Sequence, residues 1–409
     1  MNERLRLEAE TIACRAIEAV KPDEAVRRAL ENIRPEGNVY LVAVGKAAWQ
    51  MAAAAAPLVR VHQGIVITKY QHSMGPIGDL WIFEAGHPVP DENGYLATQA
   101  VLDMTENLTE TDTVLFLLSG GGSALFEKPL VEPQLLQEIT QTLLRDGADI
   151  TEINTIRKRL SGVKGGRFAA HCAPAKVEAV ILSDVLGDPL DVIASGPAAA
   201  DSATVADAKR IAAKYGVDAD ARVQALLEVE TPKETPNVHN QIIGSVRQLC
   251  RAAEKAAAEL GYECIFLADD LCGEAADTGR ELAQQLKQYP GSGRKIALLA
   301  GGETVVHVKG SGLGGRNQEL ALAAAQILAD IPGAALISVG SDGTDGPTDA
   351  AGGYADSDTV SALRAKGMDI AEYLANNDAY HALQAVDGLI MTGPTGTNVN
   401  DVTIGLIRA

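Results

Sequence analysis

Short apolar runs alternate with alanine-rich helical patterns along almost the whole chain, and this alternation constrains the fold more than any other feature. The runs VYLVAV (39–44), GIVIT (64–68), TVLFLLS (113–119), VEAVILS (177–183), CIFLA (264–268), KIALLA (295–300) and ALISVG (335–340) are apolar on both faces, as strands of a covered parallel sheet must be. Between them, the patterns at 97–107, 133–146, 247–260 and 274–288 read as helices. Alternating strand and helix predicts an α/β protein of parallel strands with covering helices. A chain of 409 residues exceeds one ordinary core, so two domains are expected. The segment VETPKETPNVHN (229–240) has prolines, threonines and charges but no apolar period. It places the boundary between a domain at 1–235 and another at 236–409. YPGSGRK (289–295) reads as a loop within the second domain, and TVVHVKGSGLGG (304–315) as a strand leaving the parallel pattern before a glycine-rich turn.

The formal net charge of -19 argues against nucleic acid or anionic membranes as general partners, and it makes any cluster of cations conspicuous. Aromatic residues are only 4% of the chain, which suits close helix–sheet packing rather than a base-stacking platform. The five cysteines (Cys14, Cys172, Cys250, Cys264, Cys272) form no C-x-x-C pair, and buried or incidental thiols in a reducing compartment are expected. The charged start MNERLRLEAE lacks a signal-peptide core, MAAAAAPL is too short to span a bilayer, and 321–340 is interrupted by Gln326, Asp330 and Pro332. The chain therefore reads as soluble and cytoplasmic, and a homodimer is the working expectation for its assembly.

Chemistry gathers where the strands end. Six runs are followed by polar, glycine-rich loops: Gly45-Lys46, GGGS, DVLGDPLDVIASGP, GGET, SDGTDGPTDAAGG and GPTGTNVND. Open α/β sheets bind ligands at the carboxyl ends of their strands, often on helix N-termini, so six such loops predict a large site between the domains. Lys46 opens the helical pattern KAAWQMAAAAA, and Arg316 precedes NQELALAAAQILA with Asn317 as its expected N-cap. Cations at helix N-termini point to a bound anion. Ser119, Gly120, Gly121, Gly122 and Ser123 supply bare backbone for the same purpose. In INTIRKRLSGVKGGR, the residues Arg157, Lys158, Arg159, Lys164 and Arg167 concentrate positive charge; part of this cluster is expected to face solvent, and Lys164 is a phosphate-binding candidate. The carboxylates Asp184, Asp188, Asp191, Glu303, Asp342, Asp345 and Asp349 follow strand ends. They suit a phosphoryl-transfer base or oxygen ligation of Mg²⁺, although some must simply cap helices or build Asx turns. Lys46, Arg316 and Asp184 are assigned to catalysis and Asp188, Asp342 and Asp345 to the cation; Glu303, Asn317 and Asn398 join the substrate- or phosphate-binding candidates. His87, in GHPVPDENG, reads as a structural loop residue. There is no G-x-x-x-x-G-K-[ST] loop and no G-x-G-x-x-G opening a helix after the first strand; GSGLGG lies late in the chain, ahead of Arg316.

The ordered set VAVGKAA, GIVITKYQHS, AGHPVPDENG, LLSGGGSAL, INTIRKRLSGVKGGR, LSDVLGDPLDVIASGP, LLAGGETVV, GLGGRNQELAL, SVGSDGTDGPTDAAGG and TGPTGTNVNDVTIGL resembles the glycerate 2-kinase family, whose C-terminal part is the MOFRL domain, here about 295–405. The resemblance implies a Rossmann-like N-terminal domain, a second α/β domain and a site in the cleft. It also implies ATP-dependent phosphorylation of D-glycerate at its 2-hydroxyl, with a divalent cation such as Mg²⁺. The family's lysine after the first strand corresponds to Lys46 and the arginine of its Gly-Arg-Asn-Gln-Glu motif to Arg316. On this reading the loop 119–123 cradles either the nucleotide phosphates or the glycerate carboxylate. Family members often carry the name hydroxypyruvate reductase, and NAD(P)H-dependent reduction is the alternative; the missing dinucleotide fingerprint argues against it.

Overall fold

The computed structural model describes residues 2–289 and 293–408, so part of the loop expected at 289–295 lies outside the described residues. The chain divides into two compact units, one formed by 22–243 and the other by 1–21 together with 244–409. This corrects the expected partition at both ends. The helix Glu3–Ala19 packs on the helix Val246–Glu259 of the second unit, and its Glu8 accepts hydrogen bonds from Tyr262 and from Arg408, the latter at 2.9 Å. The segment placed at the boundary runs into a strand, Val238–Gly244, that completes the first sheet. Its polar sequence, VHNQIIG, hid it from periodicity.

The first unit contains β1 (Val39–Val44), β2 (Val61–Lys69), β3 (Trp81–Ala85), β4 (Thr113–Leu118), β5 (Lys176–Leu182) and β6 (Val238–Gly244), in the order β3-β2-β1-β4-β5-β6. The pairings of β1 with β2 and β4, of β2 with β3 and of β4 with β5 are parallel, with Val44 level with both Ile67 and Leu118. This is the doubly wound arrangement the alternation predicts. One face carries a core of Val42, Ile65, Phe116, Ile181 and the Phe126 and Phe168 rings, all buried.

The second unit contains β7 (Glu263–Leu271), β8 (Ile296–Gly302), β9 (Ala334–Gly340), β10 (Gly352–Asp356), β11 (Leu389–Ile390) and β12 (Asp401–Ile407), ordered β11-β10-β9-β12-β8-β7. Here parallelism fails. β12 inserts antiparallel between β8 and β9, and β10 runs antiparallel to β9. The insertion leaves β12 buried at every position, which is why its run is as apolar as a parallel strand. Segment 304–315 is not a strand: only Val305 is bridged, to Glu274. Among the described residues no helix is long and apolar enough to cross a membrane. All five cysteines are free, and burial pushes the thiols of Cys172 and Cys250 up to about 12, which makes them inert.

Candidate active site

In the first sheet the chain leaves β1 toward β2 on one side and reaches β4 on the other. The two loops that diverge from this switch point lie side by side, the position where doubly wound sheets bind ligands. The amide of Lys46 donates to the Gly120 carbonyl at 2.8 Å, and that of Ala47 donates to Ser119 Oγ at 3.1 Å. Gly45, at φ +123°, has no room for a side chain, since a Cβ would stand 2.2 Å from Ser119 Oγ. Ser119 is thus a buried latch between two loops rather than a ligand. The three glycines that follow each admit a close neighbour. A Cβ would fall 2.0 Å from Asp184 Oδ2 at Gly120, 3.0 Å from the His87 ring at Gly121 and 2.7 Å from Ala194 Cβ at Gly122. Gly121, at φ +87°, then turns the chain into the short helix Gly122–Leu125. Among the described residues no acceptor pairs with the amides at 120–123, which leaves a run of unpaired N–H donors after β4. Ser123 Oγ instead shares a hydrogen bond with Ser195 Oγ at 3.0 Å, and Ser195 donates to Asn154.

Cations surround this run. Lys46 stands two residues ahead of the helix Ala48–Ala55, whose N-cap is Ala47 with no side-chain cap, and its ammonium has no carboxylate partner among the described residues. His72 Nδ1 lies 3.1 Å from the Lys46 carbonyl. Burial, followed by the charges of Lys46, Lys69 and His72, holds His87 down to about 4, so the imidazole is neutral. In a chain of charge -19, Lys46, Lys69, His72 and His87 gather at the ends of β1, β2 and β3.

The loop after β5 supplies carboxylates. Asp184 stands against Gly120. Asp188, at φ +56°, keeps a buried Oδ1 without a hydrogen-bond partner among the described residues, whereas Asp191 is taken by Ser202 and Lys158.

Most of the basic segment at 153–167 turns inward, contrary to expectation. Lys158 pairs with Asp201 at 3.0 Å, and Arg159 binds the carbonyls of Val229 and Ala203 and the carboxylate of Glu230. Lys164 is fully buried; its Nζ donates to the Phe126 carbonyl at 2.8 Å and lies 3.2 Å from Glu127 Oε2. Burial lowers it to about 8. Lys164 is therefore a brace behind the glycine loop and not a phosphate ligand. Replacing it with methionine leaves buried Glu127 with only distant Arg157, so a loss of about 3–5 kcal/mol in unfolding free energy is expected, with unchanged KM values. Chemical denaturation alongside kinetics checks this; a raised KM at unchanged stability would return Lys164 to the binding site.

In the second unit, Arg316 is the first residue of the helix Arg316–Leu328, and the N-cap is Gly315, not Asn317. The missing cap comes from another loop: Asp345 accepts from the amides of Asn317 at 3.1 Å and Gln318 at 2.9 Å. Asn317 itself is buried, bonded to Asp345 and Ser338. Asp342 closes an Asx turn with Thr344. These engagements remove Asp345 and Asp342 from the cation set and Asn317 from the ligand set. Arg316 grips Asp401 in a fork of 2.5 and 2.9 Å, with Glu303 3.3 Å away. Asn398 is half-buried, and its amide side chain has no partner among the described residues. In the GSGLGG loop the amides of 309–313 all donate to Asn376, Asn377 and Asp378.

Residues 8–228 match a domain of unknown function (DUF4147) and residues 296–401 match the MOFRL family. A D-glycerate 2-kinase of Thermotoga maritima is 52% identical over 413 residues, 99% of each chain, and a glycerate 2-kinase of Pyrococcus horikoshii is 39% identical over 96% of this chain and 95% of its own. The chain belongs to the glycerate 2-kinase family. The crystal structure of the Thermotoga maritima glycerate kinase superposes with a TM-score of 0.96 at 52% identity, covering 99% of this chain and 100% of that one.

Set against the glycerate 2-kinase motifs, the sequence reading found Lys46, the glycine loop and Asp184, which the structure brings together. It missed Lys69, His72 and His87, which lie inside the motifs GIVITKYQHS and AGHPVPDENG, because their convergence depends on strand order. It also missed Asp401. An acid opening a buried strand is the signal that marks it.

Proposed function

We propose that the protein is a D-glycerate 2-kinase, which transfers the γ-phosphoryl group of ATP to the 2-hydroxyl of D-glycerate and yields 2-phospho-D-glycerate and ADP. The observation that carries this reading is the Lys46 ammonium beside the amides of 120–123 at the switch point of an otherwise acidic protein, the ammonium without a carboxylate partner and the amides without an acceptor among the described residues. Phosphoryl transfer asks mainly for positioning and for neutralisation of charge on the moving oxygens, and this arrangement supplies both. Lys46 and the amides of 120–123 hold an anionic group of the substrates. Asp184 is held against that loop.

Mg²⁺ prefers one or two carboxylates supplemented by phosphate oxygens and water. Asp188, with its buried unpartnered oxygen, and Asp184 fit that demand. A cation held by these two would supply charge neutralisation at the phosphate oxygens.

An ATP-consumption assay over small hydroxy acids, with the phosphate position of the product read by NMR, tests the proposal. Phosphate at the 3-hydroxyl of glycerate refutes the position assigned. Steady oxidation of NADH with hydroxypyruvate replaces the kinase reading with the reductase one.

A further inference from the structure

His87 follows β3, and its ring enters the space that Gly121 leaves open. A Cβ at Gly121 would stand 3.0 Å from His87 Cδ2, 3.2 Å from its Nε2 and 3.3 Å from Lys46 Cγ. The glycine, the lysine stem and the imidazole edge therefore meet at one point. The ring is half-buried, yet neither nitrogen has a hydrogen-bond partner among the described residues. Nδ1 of the neighbouring His72, by contrast, lies 3.1 Å from the Lys46 carbonyl, so the His87 ring is the one left open to a ligand. Burial, followed by the charges of Lys46, Lys69 and His72, holds the ring below the usual imidazole range and uncharged. A neutral imidazole has one N–H and one lone pair; next to an ammonium and free amides, it adds the acceptor that a hydroxyl needs.

We propose that His87 is a catalytic residue that contacts the small substrate, its unprotonated nitrogen accepting the hydrogen bond of the glycerate 2-hydroxyl while the amides of 120–123 hold the carboxylate and Lys46 stands at the phosphoryl oxygens. The inference rests on the glycerate kinase reading. In the transfer, the hydroxyl oxygen bonds to the γ-phosphorus as the bond from that phosphorus to the β–γ bridging oxygen breaks. The electron pair leaves with ADP, and the hydroxyl proton passes to His87. A weak base suffices, because phosphoryl transfer draws on alignment of the attacking oxygen more than on its activation. Anchoring a carboxylate and a hydroxyl on adjacent carbons also selects the 2-hydroxyl over the 3-hydroxyl.

The test begins with turnover of the wild-type protein with ATP and D-glycerate; failure at that step removes the kinase reading itself. Where turnover holds, His87→Ala is expected to lower kcat/KM for glycerate by about 100-fold with KM for ATP unchanged. His87→Gln, which restores a polar atom near the lost Nε2, is expected to recover a substantial part. Equal losses in the two variants, or a loss borne by KM for ATP, overturn the proposal. A direct readout needs no variant: ¹⁵N shifts of the His87 imidazole move on addition of D-glycerate alone, and unmoved shifts at saturating glycerate refute the contact.

Discussion

Lys46→Ala lowers kcat by about 10²–10³-fold, the cost of losing one preorganised donor to a developing charge, and leaves thermal stability almost unchanged. The stability follows from the structure: the Lys46 backbone is tied to Gly120 through its amide, whereas its side chain has no carboxylate partner among the described residues. Alanine keeps the first and removes only the second. Lys46→Arg does not rescue, because a planar fork cannot take the place of a compact ammonium beside Gly121, whose would-be Cβ already meets Lys46 Cγ at 3.3 Å. Steady-state kinetics with both substrates varied, alongside thermal melting, checks this. A higher KM for one substrate at full kcat would make Lys46 a ground-state binder, and unaffected kinetics would move the site elsewhere.

Arg316→Ala has a different signature. Asp401 is buried, and burial, reinforced by Asp345 and Glu303, raises it to about 6 even with the guanidinium fork opposing. Removing Arg316 strands that carboxylate, at an expected cost of about 3–5 kcal/mol at pH 8. The cost depends on pH. A carboxyl whose folded pKa lies above its unfolded value contributes most stability at low pH and loses it as pH rises through the folded pKa. In the native protein that loss falls between the ordinary carboxylate range and about 6; without the fork the window extends upward. The destabilisation is therefore smaller at pH 5, where Asp401 takes up a proton, than at pH 8. Hydrogen exchange of the β12 and β8 amides at the two pH values measures it, and adding Asp401→Asn to Arg316→Ala should restore most of the protection. Equal losses at pH 5 and pH 8 would show that the fork does not stabilise a charged Asp401.

The partners of the charged residues separate what sequence shows from what it conceals. Lys46 was legible because chemistry and signal are adjacent: a strand, a glycine and a cation in consecutive positions. The glycine loop was legible for the same reason, but its purpose was not. Each of its glycines makes room for a residue distant in sequence: Asp184, His87 and Ala194. The basic run at 153–167 looked partly solvent-facing because Glu127, Asp201 and Glu230, which neutralise it, lie many residues away. Asp345 looked like a metal ligand because nothing near it in sequence reveals the helix start that it caps.

The sequence by itself determined the α/β class, the doubly wound first sheet and the family, since local periodicity and contiguous motifs encode all three. Tertiary structure alone decided that helix 3–19 belongs to the second unit, that β12 enters its sheet antiparallel, and that Lys46, Lys69, His72 and His87 gather at one end of the first sheet. Hydrophobic period specifies which face of an element is buried but not its neighbour or its direction. Sheet order therefore settles which distant charges meet, and with them the site.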